Sequence, residues 1–213
     1  EDRTSQKRKV RNAAPLIAGG LDLRALYDEH MRGVKQNSAA KKPVLHFIVR
    51  FPPELFNRDA KHFHGSKKER QQMMLKQAIA FINKTHGGHA VFAARLDRDE
   101  AGETIADVFA APRYEKRTKR TKPDEKGQIW SSATKFGKEL AMKHQEEIQR
   151  RHPEAKGTLL SPRAVGIALN VEWRSWFERI NQLDLSAKTE KERGAPDRLE
   201  TEAYKELQDQ KAE

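Results

Sequence analysis

The stretch HAVFAARLDRDEAGETIADVFAA, residues 89–111, decides how this chain folds. Its halves, His89 to Asp97 and Glu103 to Ala111, are strand-like and largely apolar, and only residues 98–102 separate them. A connection that short joins antiparallel neighbours, so a β-hairpin is the natural reading. Inside the second run Asp107 stands among apolar residues. A carboxylate there is costly to bury unless it meets a cation, a metal ion or strong donors. Alternation places Ile105, Asp107 and Phe109 on one face.

Upstream, Pro43 to Phe51 is rich in β-branched and aromatic residues and is closed by Pro52 and Pro53, the pattern of a strand that ends sharply. From Ser66 to about Thr85, Met74, Leu75, Ala78, Ile79, Phe81 and Ile82 form an apolar stripe, and Gly87 and Gly88 supply a C-terminal stop. That segment reads as a helix. Strand, helix, strand, tight turn, strand predicts an α+β fold with a partly antiparallel sheet flanked by helices. Before it, residues 1–13 form a basic arm, 15–20 end in a turn, Asp22 caps a short helix to about residue 35, and 36–42 are a polar linker.

After Pro112 the chain turns basic, with Arg113, Lys116, Arg117, Lys119, Arg120 and Lys122 in ten residues and Tyr114 among them. Two helices are expected next. One spans 133–152, capped by Ser131 or Ser132; the other spans 161–180, opened by Ser161 and Pro162 and carrying Trp173, Trp176 and Phe177. The expected organisation is an arm and short helix over 1–42, a sheet core over 43–127, a helical pair over 128–183 and a charged tail over 184–213.

The chain has 213 residues, 42 of them Lys or Arg against 31 Asp or Glu, for a formal charge of +11. That surplus suits an anionic partner. With no cysteine, thiolate and disulfide chemistry are excluded, and the composition suits a reducing bacterial cytoplasm. No apolar run is long enough for a membrane span, so no membrane partner is expected. No glycine-rich phosphate loop stands between a strand and a helix, which argues against nucleotide hydrolysis.

Carboxylate oxygens at Asp97, Asp99 and Asp107 suit Mg²⁺ or Mn²⁺ better than zinc. The alternative is that Asp97 and Asp99 are turn residues and that Asp107 pairs with a nearby Arg or faces solvent. His46 lies in an apolar strand and can approach the hairpin as a ligand or as a structural histidine. His62 and His64 have metal-binding spacing but also suit an exposed loop.

At the hairpin, and in the strand and helix before it, the chain resembles the plasmid mobilisation and recombination (Mob/Pre-type) relaxases of the HUH class. The likeness covers about residues 43–150. It runs through LHFIVRFP (45–52) and helix 66–85 and is strongest at FAARLDRDEAG (92–102) and DVFAAPRY (107–114). It implies a five-stranded antiparallel sheet with flanking helices, a histidine-held divalent metal that polarises a DNA phosphate, and a nucleophile that cuts one strand. Arg95 stands where that family has its first motif histidine, no histidine lies between His89 and His144, and Asp107 falls near another lost histidine. The family's N-terminal motif, which holds the nucleophile in several members, is not visible. Within the resemblance Tyr114 is then the best-placed nucleophile; its alternative is a ring packed on the sheet edge or stacked on a base.

The basic stretch 113–122 can neutralise several phosphates without reading sequence. Arg95 and Arg98 of the hairpin and Arg163 add to that nucleic-acid-binding set. Arg163 also occupies the base-contacting position if 133–180 is a helix-turn-helix, although residues 152–160 make a long connector for one. The expected function is that of a plasmid or mobile-element protein that binds DNA, single-stranded or origin-like, and resembles a strand-nicking relaxase. Two alternatives stay open: an inactive DNA-binding module, and an assembly protein that docks a partner or a second copy through helix 161–180.

Overall fold

The computed structural model describes residues 16–18, 22–37, 43–51, 65–96, 104–119, 122, 124–151, 153, 161–183 and 185. Along the chain these form β1 (Leu16–Ala18), α1 (Leu23–His30), β2 (Lys35–Gln36), β3 (Leu45–Arg50), α2 (Lys67–Thr85), β4 (Val91–Leu96) and β5 (Ile105–Ala110). There follow β6 (Arg113–Lys116), β7 (Gln128–Ser131), α3 (Lys135–Lys143), α4 (Gln145–Arg151) and α5 (Pro162–Asn181).

The expected hairpin is present: β4 and β5 pair antiparallel, with Arg95 opposite Asp107 and Leu96 opposite Ala106. The four-stranded sheet has the order β1-β4-β5-β3. Both β3 and β4 run antiparallel to β5, so they are parallel to each other, and α2 is the crossover between them. This is a split β-α-β unit. Among the described residues the sheet has four strands where the resemblance implies five. Its fourth is β1, in a segment for which the sequence predicts only a closing turn.

Helix α2 begins where its sequence says it must. Ser66 Oγ accepts from Glu69 N and the Glu69 carboxylate accepts from Ser66 N at 2.7 Å, a reciprocal capping box. It ends at Gly87 and Gly88, whose φ of 88° and 92° suits glycine. Alanines 94, 106 and 110 on the sheet's inner face let Met74, Leu75, Ala78, Phe81 and Ile82 of α2 approach closely. Val49, Phe51, Leu96 and Val108 complete that layer.

Helix α5 closes the same core. Trp176 and Phe177 are buried, and Trp173 meets both Phe51 and Phe81 ring to ring at 5.4 and 4.9 Å. Of the aromatic residues on which docking through 161–180 would rely, Trp176 and Phe177 are packed inside this chain and Trp173 is half-buried. Gln77 and Asn181 lock α2 to α5 by exchanging amide hydrogen bonds of 2.7 and 3.1 Å, both groups buried.

The expected helix 133–152 is two helices, α3 and α4, with His144 between them at φ −107°. Glu172 of α5 faces that break. It accepts from Lys143 Nζ at 2.6 Å and from His144 Nε2 at 2.9 Å. Burial pushes the Glu172 carboxyl up, but these two donors outweigh it and hold it below the usual range. Thr134, not Ser131, precedes α3; Ser132 Oγ accepts from Lys135 N, and Ser131 belongs to β7.

The part least like the expectation is a second sheet, of order β2-β7-β6. β6 is the start of the basic stretch, paired antiparallel with β7, while β2, where the sequence predicts the end of a helix and the start of a linker, pairs parallel with β7, α1 ending earlier at His30. Ala111 and Pro112, both buried, carry the chain from β5 into β6.

Candidate functional site

Because α2 and α5 cover one face of the four-stranded sheet, the chemistry collects on the other. The alternation that buries Ala106, Val108 and Ala110 sends Ile105, Asp107 and Phe109 outward, joined by His46, Ile48 and Arg50 of β3 and Arg95 of β4. Helix α1 covers only the far end. There a bulge at Phe92 turns that ring outward, where Tyr27 and His30 pack on it at 5.7 and 5.8 Å. The nearer end is open: Ile48 is 67% exposed, and Arg50 is exposed too.

Asp107 sits at the centre, only 9% exposed. Its Oδ1 lies 2.7 Å from His46 Nε2, and its Oδ2 accepts from Arg95 Nε at 3.1 Å. The His46 ring stacks flat on Phe109, 4.6 Å between centres, which fixes its plane toward the carboxylate. Arg95 is directly opposite Asp107 in register, and His46 reaches it diagonally over Phe109. The carboxylate has therefore found the cationic partner that one alternative reading gave it. Arg95 and His46 are about half exposed, so this pairing orients side chains more than it stabilises the fold.

At Asp107 a divalent metal would have to displace partners already in place. Both oxygens of Asp107 are already bonded, one of them to a permanent cation directly alongside. Among the described residues no group of three or more His, Cys, Asp or Glu is placed to hold a metal ion. Asp97 and Asp99, the other expected ligands, lie outside the described residues, as do Arg98, Arg120, His62 and His64.

Tyr114 is on the other sheet. In β6 it stands opposite Trp130, with Lys135 Nζ 5.5 Å from its ring centre. Asp107 belongs to β5 of the four-stranded sheet, so the two expected catalytic partners occupy different sheets.

The basic stretch is less uniformly free than its composition suggests. The Arg113 guanidinium donates to the carbonyls of His89 and His30, clamping α1 to the sheet. Arg117 pairs with Glu115 at 2.9 Å, and Lys122 stands 3.9 Å from Glu125. Glu115 also accepts from Gly127 N at 2.7 Å, the larger reason its carboxyl is held low, and so it fastens the β6–β7 connection. Lys116 lies over Trp130, and Lys119 is exposed. Even so, residues 113–126 hold seven cations against three carboxylates. Arg163 is exposed in the first turn of α5, while Ala164 and Ala168 on that helix face a small core with Leu140, Ala141 and Ile148.

Sequence reasoning missed Arg50, Lys35 and Trp130. Arg50 was within reach, since it follows His46 and Ile48 at strand alternation. Lys35 and Trp130 were not, because their partnership depends on pairing across 95 residues of chain.

Comparison with known proteins returns no match: no family profile, no curated protein and no solved structure resembles the chain significantly. The likeness to the Mob/Pre relaxases therefore rests on the motifs quoted above. The fold establishes a mixed α+β protein, and no helix among the described residues is long and apolar enough to cross a membrane.

Proposed function

We propose that this chain is a DNA-binding protein of a plasmid or other mobile element, related in design to the relaxases, and that it binds through the open face of the four-stranded sheet. The observation that carries this reading is the uncovered half of that face. His46, Arg50 and Arg95 stand there beside the exposed Ile48, and the chain leads from β5 directly into the basic segment 113–126. Cations there neutralise phosphates, and their affinity falls with salt through counterion release. The overall surplus of positive charge favours the encounter.

Strand nicking is a second reading, favoured by one feature. An imidazole held 2.7 Å from a carboxylate and stacked on a ring is oriented to take or give a proton. We derive no metal-dependent step, given how Asp107 is engaged.

Binding of a labelled oligonucleotide, measured by fluorescence anisotropy over a range of salt, tests the proposal. The expected result is affinity that falls linearly on a log–log plot against salt, with Arg50→Glu and Arg95→Glu each weakening it. No binding at about 0.1 M salt overturns the function. Incubation of supercoiled plasmid separates the two readings: nicks that vanish in Asp107→Ala and His46→Ala favour strand nicking, and intact plasmid beside firm binding favours the module.

A further inference from the structure

The three-stranded sheet presents a second surface with the chemistry of nucleic-acid recognition. Register sets Lys35 of β2, Trp130 of β7 and Tyr114 of β6 in one row across the sheet. Lys116 and Gln128 occupy a neighbouring row of the same face, two residues away along each strand. Both rings are half-buried, so each is braced by the protein and still reachable. Lys116 Nζ stands 4.6 Å from the centre of the Trp130 ring, and Lys135 Nζ, which also pairs with Glu139, reaches the Tyr114 ring from α3. Glu115 belongs to the opposite face, as do Arg113, Ile129 and Ser131.

We propose that this face is a single-strand subsite: Trp130 and Tyr114 stack two bases, while Lys35 and Lys116 take the flanking phosphates. The proposal rests on the nucleic-acid reading above and adds to it a place and a strand type. Stacking a base on an aromatic ring is worth more than an exposed cation–π contact. An arriving base therefore displaces the Lys116 ammonium from Trp130, and the freed cation moves to the phosphate. In a duplex each base is already stacked and paired, so only an unpaired strand can offer its faces. Directly opposed positions on adjacent strands stand about 4.5–5.5 Å apart at Cβ, an interval that successive bases of a flexible strand can match. The role given to Tyr114 belongs to its ring and leaves the hydroxyl idle.

Tryptophan emission reads the site by difference: Trp173 and Trp176 pack against Phe81 beneath α5, away from the three-stranded sheet, so the part of the signal that Trp130→Phe removes belongs to Trp130. Titration with oligothymidylate of about 15 nucleotides, a length near the upper range for one binding fold, should quench that emission. Trp130→Phe should abolish the quench and keep the affinity within ~3-fold. Trp130→Ala and Tyr114→Ala should each weaken binding by roughly 5- to 150-fold, and Tyr114→Phe by less than ~3-fold. Lys35→Glu and Lys116→Glu, both at exposed positions that do not threaten folding, should each lower the salt slope by at least ~0.7.

Unchanged affinity in Tyr114→Ala and Lys116→Glu, with oligonucleotide binding otherwise intact, overturns the subsite and leaves the DNA-binding function standing. Equal or tighter binding of a duplex overturns the strand preference. Equal quenching by polyglutamate overturns it in favour of an acidic protein partner. A chain that binds no nucleic acid under any salt loses the underlying function and the subsite together.

Discussion

His86, the residue that ends α2, should make this protein acid-labile well above the range in which its carboxylates titrate. It is 2% exposed, its ring meets Phe47 at 5.0 Å and Phe136 at 6.2 Å, and Nδ1 donates to the Ile82 carbonyl at 3.2 Å. Burial pushes its pKa down from 6.5 to about 4, against the opposing pull of that hydrogen bond. The unfolded chain thus holds the proton more tightly than the folded one. The stability contributed by neutral His86 is complete above about pH 6.5 and is lost as pH falls toward 4. At 1.36 kcal/mol per pKa unit the loss is about 3 kcal/mol in all and about 2 kcal/mol by pH 5. With a urea m-value near 2 kcal/mol per M, the unfolding midpoint should drop by ~1 M between pH 7.5 and 5. His86→Asn keeps an amide donor near the Nδ1 position and cannot titrate there. Its midpoint starts lower but should fall much less over the same interval. If both proteins lose stability in parallel, the burial argument for His86 is refuted, and His30, whose pKa burial also lowers, becomes the residue to change.

Two further substitutions probe the packing. Gly87→Ala should cost roughly 1–3 kcal/mol in urea unfolding, because φ is 88° and a Cβ would stand 2.6 Å from Phe136 Cζ and 2.8 Å from the Arg113 carbonyl oxygen. Gln77→Leu alone should cost about 1–3 kcal/mol by leaving the buried Asn181 Oδ1 without its donor, and adding Asn181→Leu should recover part of that loss in a double-mutant cycle. Additive losses would mean that the two amides act independently.

The legible parts of the fold were those encoded locally. Ser66 with Glu69, the apolar stripe of α2 and the paired glycines after it lie within about twenty residues, and each names its own role. The hairpin was equally plain, since two apolar runs with five residues between them have little choice of partner. The second sheet was not, because RYEK at 113–116 has no apolar alternation and its strand identity comes from β7, more than ten residues later. The break at His144 escaped for a similar reason: the periodicity of 133–152 runs straight through it, and the groups held there are bonded to Glu172 on another helix. At the candidate site, the sequence marked Asp107 as a carboxylate in need of a partner. It could not choose between a metal, an arginine and solvent, because that choice depended on cross-strand register. Arg95 and His46 are its partners, one on each oxygen.

The aromatic cluster of Phe51, Phe81, Trp173 and Phe177 has a bearing on how the molecule comes to exist. Phe51 and Phe81 are made roughly a hundred residues before the helix that shelters them. A nascent chain that has emerged through β5 already owns its sheet and α2, yet presents those two rings to water until α5 clears the ribosomal exit. For that interval the half-built protein carries an adhesive flank, and a ribosome stalled after β5 has emerged but before α5 has would leave a species prone to aggregate or to recruit a chaperone.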